Sequence, residues 1–181
     1  MLAHARTCDA PTGGVQDPGW TRTTVSTALQ TPAIARLVEI VSAVAACPEL
    51  WQPHVRFSER DRCWSRLEGP ADVDLWLLTW TRSQSTDLHD HGLASAALTV
   101  VRGSLTEVRP DGRGGLHADV VGVGGLRTVD PGHIHDVRND GDESAVSIHA
   151  YSPRLEEMTF YRVVGGVPVP DRTVRTDQPE L

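Results

Sequence analysis

From residue 74 to residue 164 the chain is a series of short apolar or alternating segments, separated by Gly, Pro, Asn and Asp. Many short strands at regular spacing, with turn signals between them, indicate a β-sandwich or a barrel. We predict strands over residues 74–80, 89–91, 96–101, 105–108, 117–123, 126–129, 144–151 and 158–164. The sequence therefore predicts an all-β domain, in which the apolar segment 74–80 is a buried strand.

A single amphipathic helix is predicted ahead of these strands. Thr31 suits the N-cap and Pro32 the first helical position, and apolar residues recur at helical spacing as far as about residue 46. We expect this helix to pack on the outside of a sheet. The predicted organisation is a mobile N-terminal segment (1–22), a domain that includes the helix (23–167), and a C-terminal tail (168–181) that is either an edge strand or an extended arm.

Composition limits the partners and the compartment. The 181 residues suit one domain with a real core, and the net charge is −7, with arginine supplying all the positive charge. Since no basic cluster is present, we expect neither nucleic acid nor a membrane surface as a partner. Cys8, Cys47 and Cys63 lack C-x-x-C spacing, and no signal segment or long apolar run is found. We therefore expect free thiols and a cytoplasmic location.

Two histidine clusters point to a metal site. Residues 88–92 read Leu-His-Asp-His-Gly, and in a strand His89 and His91 point to the same face. A third histidine from a partner strand would complete the set, and residues 131–136 contain two more, His133 and His135. The alternative is an exposed His-rich turn, but the apolar strand 96–101 follows directly and argues against it. The residues themselves leave both His133 and His135 open as the third ligand.

The two clusters resemble the motifs of the cupin superfamily. Its first motif, His-x-His with a closing Gly, matches His89, His91 and Gly103, and its second matches Gly125, Pro131, His135 and Asn139. Where many cupins carry a Glu ligand, this chain has Ser95 or Ala96, so the resemblance implies a site of three histidines. It also implies the cupin double-stranded β-helix, a jelly-roll barrel, behind N-terminal helices.

Within the cupins, residues 62–160 resemble the cysteine dioxygenase family of thiol dioxygenases. The His-Asp-His segment follows an apolar strand that ends in Trp80, and residues 147–153 read Ser-Ile-His-Ala-Tyr-Ser-Pro, as in the family's late motif. The resemblance implies Fe(II) held by His89, His91 and His135. It also implies a catalytic set at the substrate side, which consists of Tyr151 facing the substrate and His149 and Ser147 hydrogen-bonded behind it.

The resemblance assigns substrate binding to the segment before that strand. Arg66 would bind the substrate carboxylate, with Trp64 in the position where the family commonly has Tyr. Arg62 and Arg82 are the alternatives, and Arg66 would then be a surface ion-pair partner. In animal members a Cys cross-linked to the active-site Tyr lies at the position of Ala96, so here Tyr151 is expected to be a free phenol.

The activity implied is the oxidation of L-cysteine by O2 to cysteine sulfinic acid, by a monomer. Trp64 and the segment 93–95, Leu-Ala-Ser, depart from the family pattern and motivate a second possibility. This is the same iron site acting on another small thiol, such as 3-mercaptopropionate, or giving another S-oxidised product, such as a sulfonamide. A third possibility is a non-catalytic cupin binding module, in which His149 and Ser147 are a satisfied buried pair and Tyr151 anchors its hydroxyl to backbone. Three imidazoles also suit Zn, Ni, Mn or Cu, so the ligand set alone leaves the metal open.

Overall fold

The computed structural model describes residues 33–179. Thr31, Pro32 and the segment 1–22 that was predicted to be mobile lie outside these residues. Helix α1 (Ala33–Ala45) comes first, followed by the one-turn helix α2 (Pro48–Trp51) and a 3-10 turn (Gln52–His54). Leu37 and Val41, four residues apart on α1, are fully buried, so this face of the helix packs against the domain core. None of the helices described is long and apolar enough to cross a membrane.

Strands make up most of the rest of the described chain. They are β1 (Cys63–Arg66), β2 (Asp74–Trp80), β3 (His89–Asp90), β4 (Ser95–Arg102), β5 (Ser104–Pro110), β6 (Leu116–Gly122), β7 (Leu126–Val129), β8 (Asp136–Arg138), β9 (Ala145–Ser152), β10 (Glu157–Val164) and β11 (Val167–Arg175).

The largest sheet has the order β1-β2-β9-β4-β7, with antiparallel neighbours throughout. Side chains alternate along β9. Val146, Ile148 and Ala150 pack in one cluster with Leu37 and Val41 of α1. The alternate residues Ser147, His149 and Tyr151 therefore face the other way, into the barrel. Because α1 covers one face of the sheet and the barrel interior the other, all seven residues of β2 are buried.

Two three-stranded sheets complete the barrel, with the orders β11-β10-β3 and β6-β5-β8. They meet at a pair of histidines. His89 of β3 pairs with Phe160 of β10 on one side, and on the other it exchanges two backbone hydrogen bonds with His135, of 2.8 and 2.9 Å. This bridge brings the two histidine clusters together, although 46 residues of sequence separate them.

The strands agree closely with the sequence pattern where the segments are apolar. The predictions for 74–80 and 126–129 match β2 and β7 at both ends. Two strands, β1 and β8, were not predicted. They are three or four residues long and carry Arg, Ser or Asp. Of the two possibilities for the tail, the structure has the edge strand, since β11 pairs only with β10 within the described sheets.

Candidate active site

Three buried imidazoles converge between β3 and the segment that leads into β8. His89, His91 and His135 each expose 3% of their surface, and one ring nitrogen from each lies within 4.8 Å of the others. The Nε2 atoms of His89 and His91 are 3.0 Å apart. Two nitrogens bound at a right angle to one metal ion, at about 2.1 Å each, would be separated by about 3.0 Å. The spacing therefore fits two ligands of a single ion.

Hydrogen bonds on the far side of two rings set the direction of their lone pairs. Nδ1 of His89 is 2.9 Å from the carbonyl oxygen of Asp87, and Nδ1 of His135 is 3.1 Å from Oε1 of Glu107. A carbonyl or a carboxylate only accepts, so Nδ1 carries the proton in both rings and Nε2 presents a lone pair. Nε2 of His135 is buried and has no hydrogen-bond partner among the described residues. A metal cation is the partner that suits this set of donors.

Burial keeps the rings of His89 and His91 neutral, through its effect on their pKa values. It lowers the pKa of His89 well below the ordinary value, and the charges of His135 and Arg62 add to this effect. Burial is also the main cause that lowers the pKa of His91 well below the ordinary value, and the charges of the other two ligand histidines lower this pKa further. Neutral imidazoles are the form that binds a metal ion, so the site is poised for metal at neutral pH.

Asp90 fixes the turn that carries the first two histidines. Its Oδ1 accepts a hydrogen bond of 2.9 Å from the backbone N–H of Gly92, and its Oδ2 accepts one of 2.6 Å from the hydroxyl of Tyr161 on β10. Burial, this hydrogen bond and the charge of Asp90 raise the pKa of Tyr161 to about 12. Gly92 adopts φ +56°, and its carbonyl accepts from the N–H of Gly132 at 3.0 Å. This last bond ties the two histidine clusters together.

A chain of hydrogen bonds leads to Tyr151 beside the ligands. The indole N–H of Trp80 donates to Oγ of Ser147 at 2.9 Å, Oγ of Ser147 is 2.8 Å from Nε2 of His149, and Nδ1 of His149 is 3.4 Å from the hydroxyl of Tyr151. The Tyr151 ring meets the edge of His91 with centroids 4.9 Å apart. Tyr151 thus lies next to the three-histidine set, at the end of a buried polar network.

The indole gives this network a direction. An indole N–H can only donate, so Ser147 accepts from Trp80 and satisfies its own hydroxyl by donating to Nε2 of His149. Nδ1 of His149 then carries the proton and faces the Tyr151 oxygen, which leaves the phenolic proton to be directed elsewhere. Burial, then the charges of His135 and Arg62, lower the pKa of His149 to about 3, so its ring is neutral at ordinary pH.

The two arginines near β1 have different surroundings. The guanidinium of Arg62 lies 4.8 Å above the Trp80 ring and donates to the carbonyl of Ser85. Its charge acts on His89 and His149. Arg66, predicted to bind the substrate carboxylate, pairs with the buried carboxylate of Asp74. Of the two arginines, Arg62 is the one whose charge lowers the pKa values of His89 and His149.

The remaining sequence candidates contact residues other than the three buried histidines. Arg66 also lies 4.8 Å above the Trp76 ring, and Trp64 meets the same ring edge-on with centroids 5.2 Å apart. The side chain of Arg82 is 70% exposed and pairs with Asp142. His133 has a side chain that is 61% exposed, so it is less suited than the buried His135 to be a ligand.

Glu107 is a site residue that the sequence analysis missed. Burial raises the pKa of its carboxyl, but the hydrogen bond from His135 and the charges of His135, Arg109 and Arg127 outweigh burial and lower it overall. The signal was present in the predicted strand 105–108, where Glu107 is two residues after the apolar Leu105 and so shares its inward face. An acidic residue at an inward position of a short strand requires a buried partner.

Comparisons with known proteins agree with this site. Residues 28–163 match the family model of cysteine dioxygenase type I. A conserved protein with a double-stranded β-helix domain from Klebsiella pneumoniae has a similar structure, with a TM-score of 0.50 and 20% identity over 56% of this chain and 85% of the other. TT1209 from Thermus thermophilus is similar at a TM-score of 0.50 and 14% identity, over 56% of this chain and 92% of the other.

These structural neighbours confirm the predicted fold, the cupin double-stranded β-helix behind an N-terminal helix. The family match covers three quarters of the chain, including both histidine clusters and the Tyr151 network. It confirms the resemblance that the motifs indicated. The chain belongs to the cysteine dioxygenase type I family.

Proposed function

We propose that the protein is a non-haem Fe(II) thiol dioxygenase that oxidises L-cysteine with O2 to cysteine sulfinic acid. The observation that carries this proposal is the convergence of ring nitrogens of His89, His91 and His135 beside the Tyr151 ring. Family membership supports an oxygen-dependent oxidoreductase. The substrate, the product and the identity of the metal are the parts that we propose.

The ligand set suits a thiol substrate. Fe(II) held by these three histidines would supply a redox-active cation that attracts a thiolate and activates O2 for transfer to sulfur. Three neutral imidazoles add no negative charge to that cation, so they leave the charge to be balanced by an anionic ligand such as a thiolate. The burial of the three rings, each 3% exposed, keeps bulk water from competing for the same position.

Arg62 is the residue that we propose for the substrate carboxylate. A guanidinium donates two parallel hydrogen bonds to a carboxylate. Arg62 is held at the site by the Trp80 ring and by the carbonyl of Ser85, and its charge acts on His89 and His149. Arg62 was one of two alternatives to Arg66 in the sequence analysis, with Arg82 as the other, and these surroundings support it.

Tyr151 is proposed to act on the reacting atoms through its hydroxyl. With His149 directed at the phenolic oxygen, the Tyr151 proton can be donated to the substrate sulfur or to the oxygen that is transferred to it. His149 and Ser147 hold that oxygen in place, and Trp80 orients Ser147. The network therefore offers a donor of fixed direction at the position where negative charge develops.

The test is product analysis with isotopic oxygen. The protein, loaded with Fe(II) without air, is given L-cysteine and 18O2, and the product is identified by mass spectrometry. The expected product is cysteine sulfinate with both oxygens labelled, and the His135→Ala variant should give none. Oxidation of 3-mercaptopropionate in preference to cysteine, or a sulfonamide product, would overturn the proposed substrate or product. No thiol-dependent oxygen uptake at all would indicate a binding module instead.

A further inference from the structure

Glu107 lies behind one of the three histidines, on the side away from the metal position. We propose that Glu107 is a positioning residue for the metal centre, which holds His135 in the tautomer and orientation that present Nε2 to the ion. Arg127 and Arg109 in turn fix the Glu107 carboxylate. The inference rests on the proposed function, since it takes His135 to be a metal ligand.

Glu107 links three separate segments of the barrel. Its Oε1 is 3.1 Å from Nδ1 of His135, and the side chains of the two residues are 2% and 4% exposed. Its Oε2 is 3.2 Å from Nε of Arg127 on β7 and 3.6 Å from Nε of Arg109 on β5. Arg109 also donates to Asp119 on β6 at 2.9 Å. Oε1 thus accepts a hydrogen bond from the imidazole, whereas Oε2 faces the two arginines as an ion pair and has no hydrogen-bond partner among the described residues.

The contact between Oε1 of Glu107 and the ring of His135 determines which nitrogen of His135 carries the proton. A carboxylate can only accept, so His135 donates through Nδ1 and keeps the Nε2 lone pair. The negative charge behind the ring also makes Nε2 a stronger donor to a metal. Beside the pair is a cavity of about 10 Å³ lined by Glu107, Arg109 and His135, which has room for at most about one water molecule. Solvent is therefore a poor substitute for the carboxylate.

A purely structural role would explain the arginines but not the imidazole contact. Two arginines are enough to stabilise a buried carboxylate in an ion-pair network that ties β5 to β7. They do not require the second oxygen to face a ring whose other nitrogen is buried and has no partner among the described residues. The aim of Oε1 at His135 is the feature that assigns Glu107 to the metal centre.

Glu107→Gln separates the two roles because an amide has only one acceptor. The two arginines are positively charged, so they favour the amide oxygen in the place of Oε2, and the NH2 group then faces Nδ1 of His135. That nitrogen must accept, which moves the imidazole proton to Nε2 and blocks the metal position. Glu107→Asp is the second variant: it keeps the charge beside the arginines but withdraws it from His135 by one methylene group.

The experiment is an anaerobic Fe(II) titration of the full chain, followed by the Fe(III)/Fe(II) midpoint potential of the loaded protein. We expect Glu107→Gln to bind Fe(II) about 10- to 100-fold more weakly than the wild type. Its midpoint potential should shift to more positive values, because removing a negative charge favours the reduced ion. Glu107→Asp should shift both quantities in the same directions by a smaller amount.

Asp119→Asn is the matched control, since Asp119 shares Arg109 with Glu107 but lies behind no ligand. It should leave both the Fe(II) affinity and the potential unchanged. If folded Glu107→Gln and Glu107→Asp match this control in both measurements, the inference is overturned and the proposed function stands. If Glu107→Gln does not fold, Glu107→Asp decides the matter by the same comparison. Failure of the wild-type chain to bind Fe(II) would overturn the proposed function and the inference together.

Discussion

Replacing Arg62 or Arg66 by methionine is expected to affect two different properties: substrate binding for Arg62 and folding stability for Arg66. Arg62→Met removes a guanidinium that lies 4.8 Å above the Trp80 ring and whose charge acts on His89 and His149. A charge-assisted hydrogen bond is worth about 1.5–3 kcal/mol. If Arg62 binds the substrate carboxylate, loss of this hydrogen bond should raise KM for L-cysteine by about 10- to 150-fold. Methionine is chosen because its side chain fills similar space without the charge.

Arg66→Met should instead act on folding. It breaks the pair with Asp74, whose side chain is 1% exposed. The carboxylate keeps two other partners, the N–H of Leu155 at 3.0 Å and Nε of Arg154 at 3.8 Å. Since Arg66 itself is 45% exposed, we expect the free energy of unfolding to fall by about 1–2 kcal/mol. KM for cysteine should stay close to the wild-type value.

The assay is steady-state oxygen uptake with two thiols, L-cysteine and 2-aminoethanethiol, which lacks the carboxylate. The increase in KM caused by Arg62→Met should appear with cysteine and be absent with 2-aminoethanethiol, since only the carboxylate contact is lost. Urea unfolding of both variants measures the free energy of unfolding, so that an effect on stability is distinguished from an effect on substrate binding. The reasoning is refuted if Arg66→Met raises KM for cysteine selectively while Arg62→Met leaves it unchanged, which would restore the assignment made from the sequence.

Three further substitutions test the parts of the site and the fold. Tyr151→Phe should leave Fe(II) affinity within about twofold and lower kcat by about 10²- to 10³-fold; lost iron would contradict the donor role. His149 takes up a proton near pH 6.5 in the unfolded chain and near pH 3 in the folded chain, so it should contribute about 2 kcal/mol to a loss of stability between pH 7 and pH 5, to which His89 and His91 add in the same direction. His149→Gln should remove that contribution and make the fall shallower, and equal slopes would argue against a buried neutral ring. Gly103 adopts φ +69°, and a Cβ there would lie 2.9 Å from the carbonyl oxygen of Ser144, so Gly103→Ala should lower the urea midpoint by the equivalent of about 1–3 kcal/mol; an unchanged midpoint would contradict this.

The sequence predicted the barrel because its central strands are apolar and long enough to be recognised. Strand β2, Asp74–Trp80, is buried along its whole length, and its predicted bounds match the structure. Strand β8, Asp136–Arg138, was not predicted, because three residues carry no periodicity. It forms through pairing with β5, where Val137 lies opposite Glu107. That contact spans thirty positions and is not visible in local pattern.

The candidate site also contains some residues that the sequence predicts and others that depend on the folded structure. Histidines two residues apart in a strand share a face, so His89 and His91 were recognisable from spacing alone. The family motif supplied His135 and Tyr151, and their roles stay predictions. The surroundings of Arg62 and the aim of Glu107 at His135 depend on how distant strands pack. A single sequence contains no record of such packing, which is why Glu107 was missed and why the choice between Arg62 and Arg66 stays a prediction.

The central claim is that three imidazoles hold one ferrous ion, and the most direct test is the Fe(II) stoichiometry of His135→Ala and His133→Ala, measured without oxygen beside the wild type. The account predicts one Fe(II) per chain for the wild type and for His133→Ala, whose side chain is largely exposed. It predicts that binding is lost in His135→Ala. Full Fe(II) binding by His135→Ala, or loss of binding in His133→Ala instead, would contradict the account.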